Sequence, residues 1–220
     1  MAVEQMTVCP ALRAGVEDVW QKIMAHPFLV DLERDALSDE TLRYYFVQNV
    51  HYIDAAIRFT AQAAAKAPTK ESQDFCLVLS QFGSEEVERQ RDYVRQLAGD
   101  GVDWEIAPTA HAYTNHLLTV AAYGGTLELL VGLLPCEWTY DEFGTKLAAV
   151  VQHPITTSWL SSFGSEEHNE LSHRYHEIVE DLARDVPARQ MEGLHEIFKL
   201  GARYEWKFWE MAYTQERWPV

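Results

Sequence analysis

The chain has few of the features that mark a secreted or membrane protein. Its 220 residues include only three cysteines, and their wide spacing predicts neither a disulfide framework nor a zinc site. The N-terminus has no basic segment followed by an apolar run, so no signal peptide is expected. No uncharged apolar run reaches the about 18 residues that suggest a membrane span. These absences predict a cytoplasmic protein without membrane contact.

Positive charge is also scarce. The chain has 18 Lys and Arg against 34 Asp and Glu, which gives a formal net charge of −16. A nucleic-acid-binding surface needs clustered Lys and Arg, and no such cluster is present. An anionic substrate would need a local positive patch against this background. The charge therefore favours a neutral or cationic small molecule, or else it serves solubility alone.

Glycine and proline, 11 and 8 in number, stand mostly at the ends of periodic segments. No period-two run rich in β-branched residues is present, so no sheet is predicted. The positions of these glycines and prolines predict helices over about 10–25, 39–67, 70–98, 108–123 and 126–151, a short helix from 154, one between 165 and 184, and one over 187–216. They also predict a turn at 99–101. The sequence thus predicts one all-α domain over 1–220, built as a single bundle of about eight helices.

Polar residues interrupt two of the apolar helical faces. In the last predicted helix the face reads Phe198, Gly201, Glu205, Phe208 and Ala212. A buried carboxylate takes a proton, finds a partner or serves chemistry, and the spacing leaves these alternatives open for Glu205. In the second helix the face reads Tyr45, Asn49, Tyr52, Ala56 and Phe59. The Asn49 amide suits either an ordinary core hydrogen bond or the edge of a heterocycle that carries both a donor and an acceptor.

The fifth predicted helix carries a cysteine on its interior face, which reads Leu129, Gly132, Cys136, Tyr140 and Phe143. Pro135 precedes this cysteine and predicts a kink that leaves the Val131 carbonyl without its helical partner. A kink at this place presents the Cys136 thiol to a cavity. The alternative is a small buried hydrophobe, which is how we interpret Cys9 and Cys76.

The interior faces of four predicted helices therefore carry chemistry-bearing groups, since the fourth adds Tyr113. This pattern predicts a pocket inside the bundle. A thiol nucleophile needs a neighbouring proton or hydrogen-bond partner. The hydroxyls of Tyr52, Tyr113 and Tyr140 are candidates for that role.

Two long motifs resemble those of the TenA (thiaminase II) family. LLPCEWTYDEFGTKL, residues 133–147, is similar to the cysteine segment of that family, and YEWKFWEMAY, residues 204–213, is similar to its C-terminal glutamate motif. APTAHAYTNHL at 107–117, HPF at 26–28 and YYFVQNVHYI at 44–53 match as well. The resemblance extends over nearly the whole chain.

The resemblance implies an all-α, heme-oxygenase-like fold without heme, metal or other cofactor, assembled as a homotetramer. It also implies a hydrolase of thiamin salvage, which releases ammonia from an aminomethyl-aminopyrimidine, and family members also cleave thiamin. Carried over by position, Cys136 is the nucleophile that adds to the ring and Glu205 is the proton donor to the leaving amine. The implied pocket residues are Tyr52, Tyr113, Tyr140 and Phe208.

Two positions depart from the family pattern. Asn49 stands where the family usually has an Asp that holds the aminopyrimidine edge, and Phe163 stands where a Tyr is frequent. Asn49 can make only neutral hydrogen bonds, and Phe163 lacks a hydroxyl. We therefore expect weaker activity on the usual aminopyrimidine, or a shifted substrate.

Two other functions stay open at this point. A diiron oxidase of the same fold would need carboxylates and histidines from several helices, for which the chain offers Glu85, Glu86, Glu166, Glu167, His168, His173 and His176. These residues are equally typical of a solvated helix face. A TenA-like protein could also bind a pyrimidine without turnover, although such a binder has no need for both Cys136 and Glu205. The orientation of Glu137 is not determined by the sequence.

Overall fold

The computed structural model describes residues 7–98 and 102–220, and within these ranges it contains helices and no strand. The helices are α1 Val8–Ala14, α2 Glu17–Met24, α3 Pro27–Glu33, α4 Asp39–Lys66, α5 Lys70–Ala98, α6 Pro108–Tyr123, α7 Thr126–Ala148, α8 Pro154–Leu160, a 3-10 turn Ser161–Gly164, α9 Glu166–Ala183 and α10 Ala188–Thr214. None of these helices is long and apolar enough to cross a membrane. The prediction of an all-α fold is confirmed.

The long helices begin at recognisable caps. Ser38 caps α4, where its hydroxyl accepts from the backbone N–H of Thr41 at 3.1 Å, and Asp39 and Glu40 lie at the positive end of the helix dipole. Pro108 and Pro154 occupy the first turns of α6 and α8, where a missing N–H costs nothing. The apolar faces pack into one core, with Trp20, Tyr45, Tyr113, Tyr175 and Trp209 among its largest fully buried side chains.

A close approach of α7 and α10 positions the two motif helices. A Cβ added to Gly201 would lie 2.9 Å from Pro135 Cγ and 3.1 Å from the carbonyl oxygen of Gly132. Only glycine fits such a contact without a shift of α7. Because Glu205 lies one turn beyond Gly201 and Cys136 follows Pro135, this contact brings the carboxyl and the thiol to the same region of the core. α7 continues across Pro135, and the predicted kink remains a prediction.

The N-terminal region differs from the sequence prediction. The single helix predicted over 10–25 is wrong, because α1 and α2 are separate helices that break at Gly15 and Val16. Pro27 ends the preceding helix, as predicted, but it also begins a further helix, α3. His26 caps α3 through Nδ1, which accepts from the N–H of Phe28 at 3.1 Å.

The described ranges hold ten α-helices and a 3-10 turn where about eight helices were predicted, and the difference is the split into α1 and α2 together with the short α3. The fifth predicted helix corresponds to α7 and ends at Ala148 rather than at 151. Other boundaries agree within the one or two residues by which helix ends usually vary. The turn predicted at 99–101 lies outside the described residues.

Candidate active site

A cavity between α4, α5, α7 and α10 consists of two adjoining spaces. The outer chamber has a volume of about 100 Å³ and the inner chamber a volume of about 10 Å³. Four side chains line both of them: Asn49, Tyr52, Cys136 and Tyr140. The outer chamber is of the order of the about 150 Å³ cavity that holds benzene in an engineered core, while the inner one has room for about one water-sized group. These volumes fit a single ring in the outer chamber and a small substituent of that ring in the inner chamber.

The inner chamber is completed by Tyr113, Glu205 and Phe208. The Tyr113 hydroxyl donates to Glu205 Oε1 at 2.6 Å, and this carboxyl is only 3% exposed. Burial raises the pKa of Glu205 to about 7, although the hydrogen bond from Tyr113 acts in the opposite direction. At neutral pH the Glu205 carboxyl is thus able both to accept and to donate a proton.

The Cys136 side chain is half-buried and faces both chambers. Burial raises the pKa of its thiol well above the usual range, and the neighbouring carboxyls of Glu205 and Glu137 raise it further. A hydrogen-bond contribution from the Tyr52 hydroxyl lowers it, but less strongly. The thiol therefore keeps its proton at neutral pH and has to transfer it to a base before it can attack. Glu205 lines the same inner chamber and is the nearest candidate for that base.

Aromatic residues fix the shared wall of the two chambers. The Tyr52 ring lies 5.0 Å from the ring of Tyr113 and 5.9 Å from that of Phe208. The Tyr52 hydroxyl is buried and makes no hydrogen bond of standard geometry, although Tyr113 and Cys136 are close by. The hydroxyl of Tyr140 forms a hydrogen bond with the hydroxyl of Tyr45, which fixes the Tyr140 ring. The Tyr52 hydroxyl thus lies at the boundary between the chambers with only loose contacts to Tyr113 and Cys136, whereas the hydroxyl of Tyr140 is already paired.

The outer chamber has acidic and unpartnered polar groups on its walls. The carboxyl-bearing side chains are Glu86 and Glu137, and among the residues found to line either chamber there is no Lys or Arg. Two buried atoms, Gln90 Oε1 and His168 Nε2, have no hydrogen-bond partner in the part of the chain that the structure describes. His168 Nε2 lies 3.4 Å from the Asp141 carboxylate without hydrogen-bond geometry. This space therefore favours a ligand that donates hydrogen bonds.

Phe163 closes one side of the outer chamber. Its ring centroid lies 5.6 Å from that of Tyr140 and 5.0 Å from that of His168. The ring can approach α7 because Gly144 lies beneath it, where an added Cβ would come within 2.7 Å of Phe163 Cβ and Cγ. Gly144 therefore sets the position of this wall.

All the residues predicted for the site lie along the cavity. Asn49, Tyr52, Cys136 and Tyr140 line both chambers, Tyr113, Glu205 and Phe208 line the inner one, and Phe163 lines the outer one. Their chemical roles remain predictions. Sequence reasoning did not assign Tyr45, Gln90 or Gly144 to the site, and it left the orientation of Glu137 open. A signal existed for Tyr45 alone, because it lies one turn before Asn49 on the same apolar face.

The residues considered for a diiron site are dispersed. Glu86 and His168 line the outer chamber, but within 7–98 and 102–220 no group of three or more His, Cys, Asp or Glu is arranged to hold a metal ion. The ligand set that the diiron alternative requires does not converge in these parts of the chain.

Comparisons with known proteins agree with this geometry. The model of the TENA/THI-4/PQQC family matches residues 13–215. The chain is similar to an aminopyrimidine aminohydrolase of Halalkalibacterium halodurans, with 26% identity over 97% of this chain and 98% of that protein. The solved structure of a TenA homologue from Pyrococcus furiosus superposes with a TM-score of 0.85 at 26% identity, over 94% of this chain and 100% of that one. Heme oxygenase-1 of Synechocystis gives 0.67 at 14% identity, over 96% and 94%, which confirms the predicted heme-oxygenase-like fold.

Proposed function

The chain belongs to the TENA/THI-4/PQQC family, and from that premise we propose that it is a hydrolase that releases ammonia from an aminomethyl-aminopyrimidine in thiamin salvage. The observation that carries the proposal is the inner chamber, where the Cys136 thiol and the Glu205 carboxyl line one water-sized space. A relative over nearly its full length is an aminopyrimidine aminohydrolase, which supports the same reaction class. A protein that only bound a pyrimidine would not need a thiol and a buried carboxyl side by side.

The proposed reaction begins with the thiol. Its proton passes to the Glu205 carboxylate as the sulfur forms a bond to the pyrimidine ring. Glu205 then delivers that proton to the departing amine as the exocyclic C–N bond breaks. The pKa of about 7 suits Glu205 for both transfers, since it exchanges protons readily at neutral pH. Water adds to the exocyclic carbon and gives a proton to the Glu205 carboxylate. The C–S bond then breaks as that proton returns to the sulfur, which restores the ring and the thiol.

Tyr113 is the positioning group in this scheme. Its hydroxyl donates to Glu205 Oε1 at 2.6 Å and stabilises the ionised form of the carboxyl. The Cys136 thiol and the Thr139 hydroxyl also lower the pKa of Glu205 through weaker hydrogen-bond contributions, which supports proton exchange between the thiol and this carboxyl. The flat ring would lie in the outer chamber among Tyr52, Tyr140 and Phe163, with its aminomethyl group directed to the inner chamber.

The test is ammonia release from 4-amino-5-aminomethyl-2-methylpyrimidine by wild type and Cys136→Ser. We expect Cys136→Ser to lose at least about 1,000-fold in rate, because a hydroxyl does not replace the thiol as nucleophile. The matched control is Cys76→Ser, which changes a buried cysteine outside both chambers and is expected to keep its rate. Equal rates for wild type and Cys136→Ser would contradict the proposal. Binding of the pyrimidine by wild type with no ammonia release would favour the non-catalytic binder instead.

A further inference from the structure

The outer chamber contains a carboxyl that the proposed reaction does not use. Glu137 lines this chamber next to Cys136, and within the described ranges it accepts no hydrogen bond and joins no ion pair. The other carboxyl of the chamber, Glu86, is already satisfied: it accepts from Gln90 Nε2 and lies 2.7 Å from the guanidinium of Arg89. Of the two carboxyls on these walls, Glu137 is thus the one without a donor among the described residues.

Several other polar groups on the same walls also lack partners. Tyr52, Gln90 and His168 are each more than nine-tenths buried. Within 7–98 and 102–220, Tyr52 Oη, Gln90 Oε1 and His168 Nε2 have no hydrogen-bond partner of standard geometry. The side-chain amide of Asn49, which is 8% exposed, forms no hydrogen bond with another described residue. Buried polar groups are nearly always paired, so four such side chains around one space indicate a bound ligand.

The chemistry of the walls specifies which kind of ligand edge fits. Gln90 Oε1 only accepts hydrogen bonds, the Glu137 carboxyl only accepts them in its ionised form, and the Asn49 amide can accept through its oxygen. No Lys or Arg is found among the lining residues to balance a ligand of negative charge. Burial, together with the Asp141 carboxylate, raises the pKa of Glu137 to about 7, so a cationic neighbour would be strongly favoured. The walls are therefore complementary to an edge rich in N–H donors.

We propose that Glu137 determines specificity by accepting hydrogen bonds from the amino group and protonated ring nitrogen of a 4-aminoheterocycle bound in the outer chamber. The assignment rests on the proposed function, because it places the ring of that substrate outside the inner chamber. Glu137 acts on ring selection, while Cys136 and Glu205 act on the bond that breaks. A phosphate on the substituent that enters the inner chamber would lie beside the Glu205 carboxyl, with no Lys or Arg among the lining residues to balance it, so phosphorylated pyrimidines are excluded.

Two matched ligands that cannot lose an amine test the assignment. They are 4-amino-2,5-dimethylpyrimidine and 2,4,5-trimethylpyrimidine, which differ by an amino group against a methyl group of similar size. Calorimetric titration gives the ratio of their affinities. We expect wild type to prefer the amino compound by at least about tenfold, as for a hydrogen bond to a charged acceptor. In Glu137→Gln the preference should fall to within about twofold.

Two further variants make the result specific. Glu170→Gln removes an equal charge from an exposed position outside the chambers and should keep the wild-type ratio. Asn49→Asp added to Glu137→Gln supplies a carboxylate from another wall and should restore part of the preference, which a merely structural effect of Glu137 would not do. An unchanged ratio in Glu137→Gln overturns the assignment, as does the absence of any preference in wild type. Ammonia release and its dependence on Cys136 are measured in a separate experiment. The hydrolase proposal is therefore tested independently of the role of Glu137.

Discussion

The inner and outer chambers differ in how fully their polar groups are satisfied. In the inner chamber, Glu205 accepts a short hydrogen bond from Tyr113, and the cysteine and glutamate motifs of the family are both present. Gln90 Oε1 and His168 Nε2, which line the outer chamber alone, have no hydrogen-bond partner among the described residues, and Phe163, which departs from the family pattern, lines the same space. The difference teaches that the groups proposed for bond breaking are positioned by contacts within the chain. The groups for recognition require a ligand to complete them.

This comparison separates two kinds of kinetic effect. A change in the inner chamber should act on groups that move protons and should appear in kcat. A change in the outer chamber should act on ring binding and should appear in KM or in the choice of ligand. Glu205→Gln and Gly144→Ala test this separation in the kinetics, and Glu137→Gln tests the burial of the outer carboxyl; the three follow in order of decreasing effect.

The largest effect among these three is expected for Glu205→Gln. The amide keeps the shape of the side chain but cannot transfer a proton, so kcat should fall by about 100- to 10,000-fold with a smaller change in KM. Steady-state ammonia release measures both constants. Glu192→Gln, an exposed change on the same helix, is the matched control and should leave both unchanged. A loss confined to KM would show that Glu205 binds the substrate rather than acting as proton donor, and would remove the distinction between the chambers.

Much of this arrangement could be predicted from the sequence, for physical reasons that are specific to each element. The interior face that carries Phe198, Glu205 and Phe208 follows the helical repeat, so its burial could be predicted from spacing alone. The break at Gly15 and the start of α3 at Pro27 could not be predicted in this way. Glycine is tolerated inside a helix, and a proline can end one helix or begin the next.

The outer chamber was harder to predict, because its shape depends on contacts between distant segments. Glu137 follows Cys136 at about 100 degrees around α7, and only the packing of the neighbouring helices decides that this direction faces the cavity. The role of Gly144 likewise depends on Phe163, which belongs to another element. In the inner chamber, the motif residues already lie on the interior faces of their own helices, and the local repeat is sufficient to find them.

The second test concerns the pH dependence of stability. The pKa of Glu137 is raised in the folded chain to about 7 from an ordinary value of 4.5, so its favourable contribution is complete below about pH 4.5 and is lost as the pH rises through about 7. Glu137→Gln should therefore match wild type near pH 5 and exceed it by roughly 1 to 3 kcal/mol near pH 8. Urea unfolding at several pH values measures the difference. Glu170→Gln should show no such pH-dependent gain, and parallel curves for wild type and Glu137→Gln would mean that Glu137 is not effectively buried.

The smallest effect is expected for Gly144→Ala, which changes the outer wall without touching a polar group. The new methyl would lie 2.7 Å from Phe163 Cβ and Cγ, so the 3-10 turn that carries this ring has to move outward. We expect KM to rise by about three- to tenfold while kcat stays within about twofold, because Cys136 and Glu205 are not displaced. Gly193→Ala is the control, since a Cβ there meets no atom within 4 Å. A fall in kcat with unchanged KM would instead show that the Phe163 wall is coupled to the groups that break the bond, and the two chambers would then have to be treated as one catalytic unit.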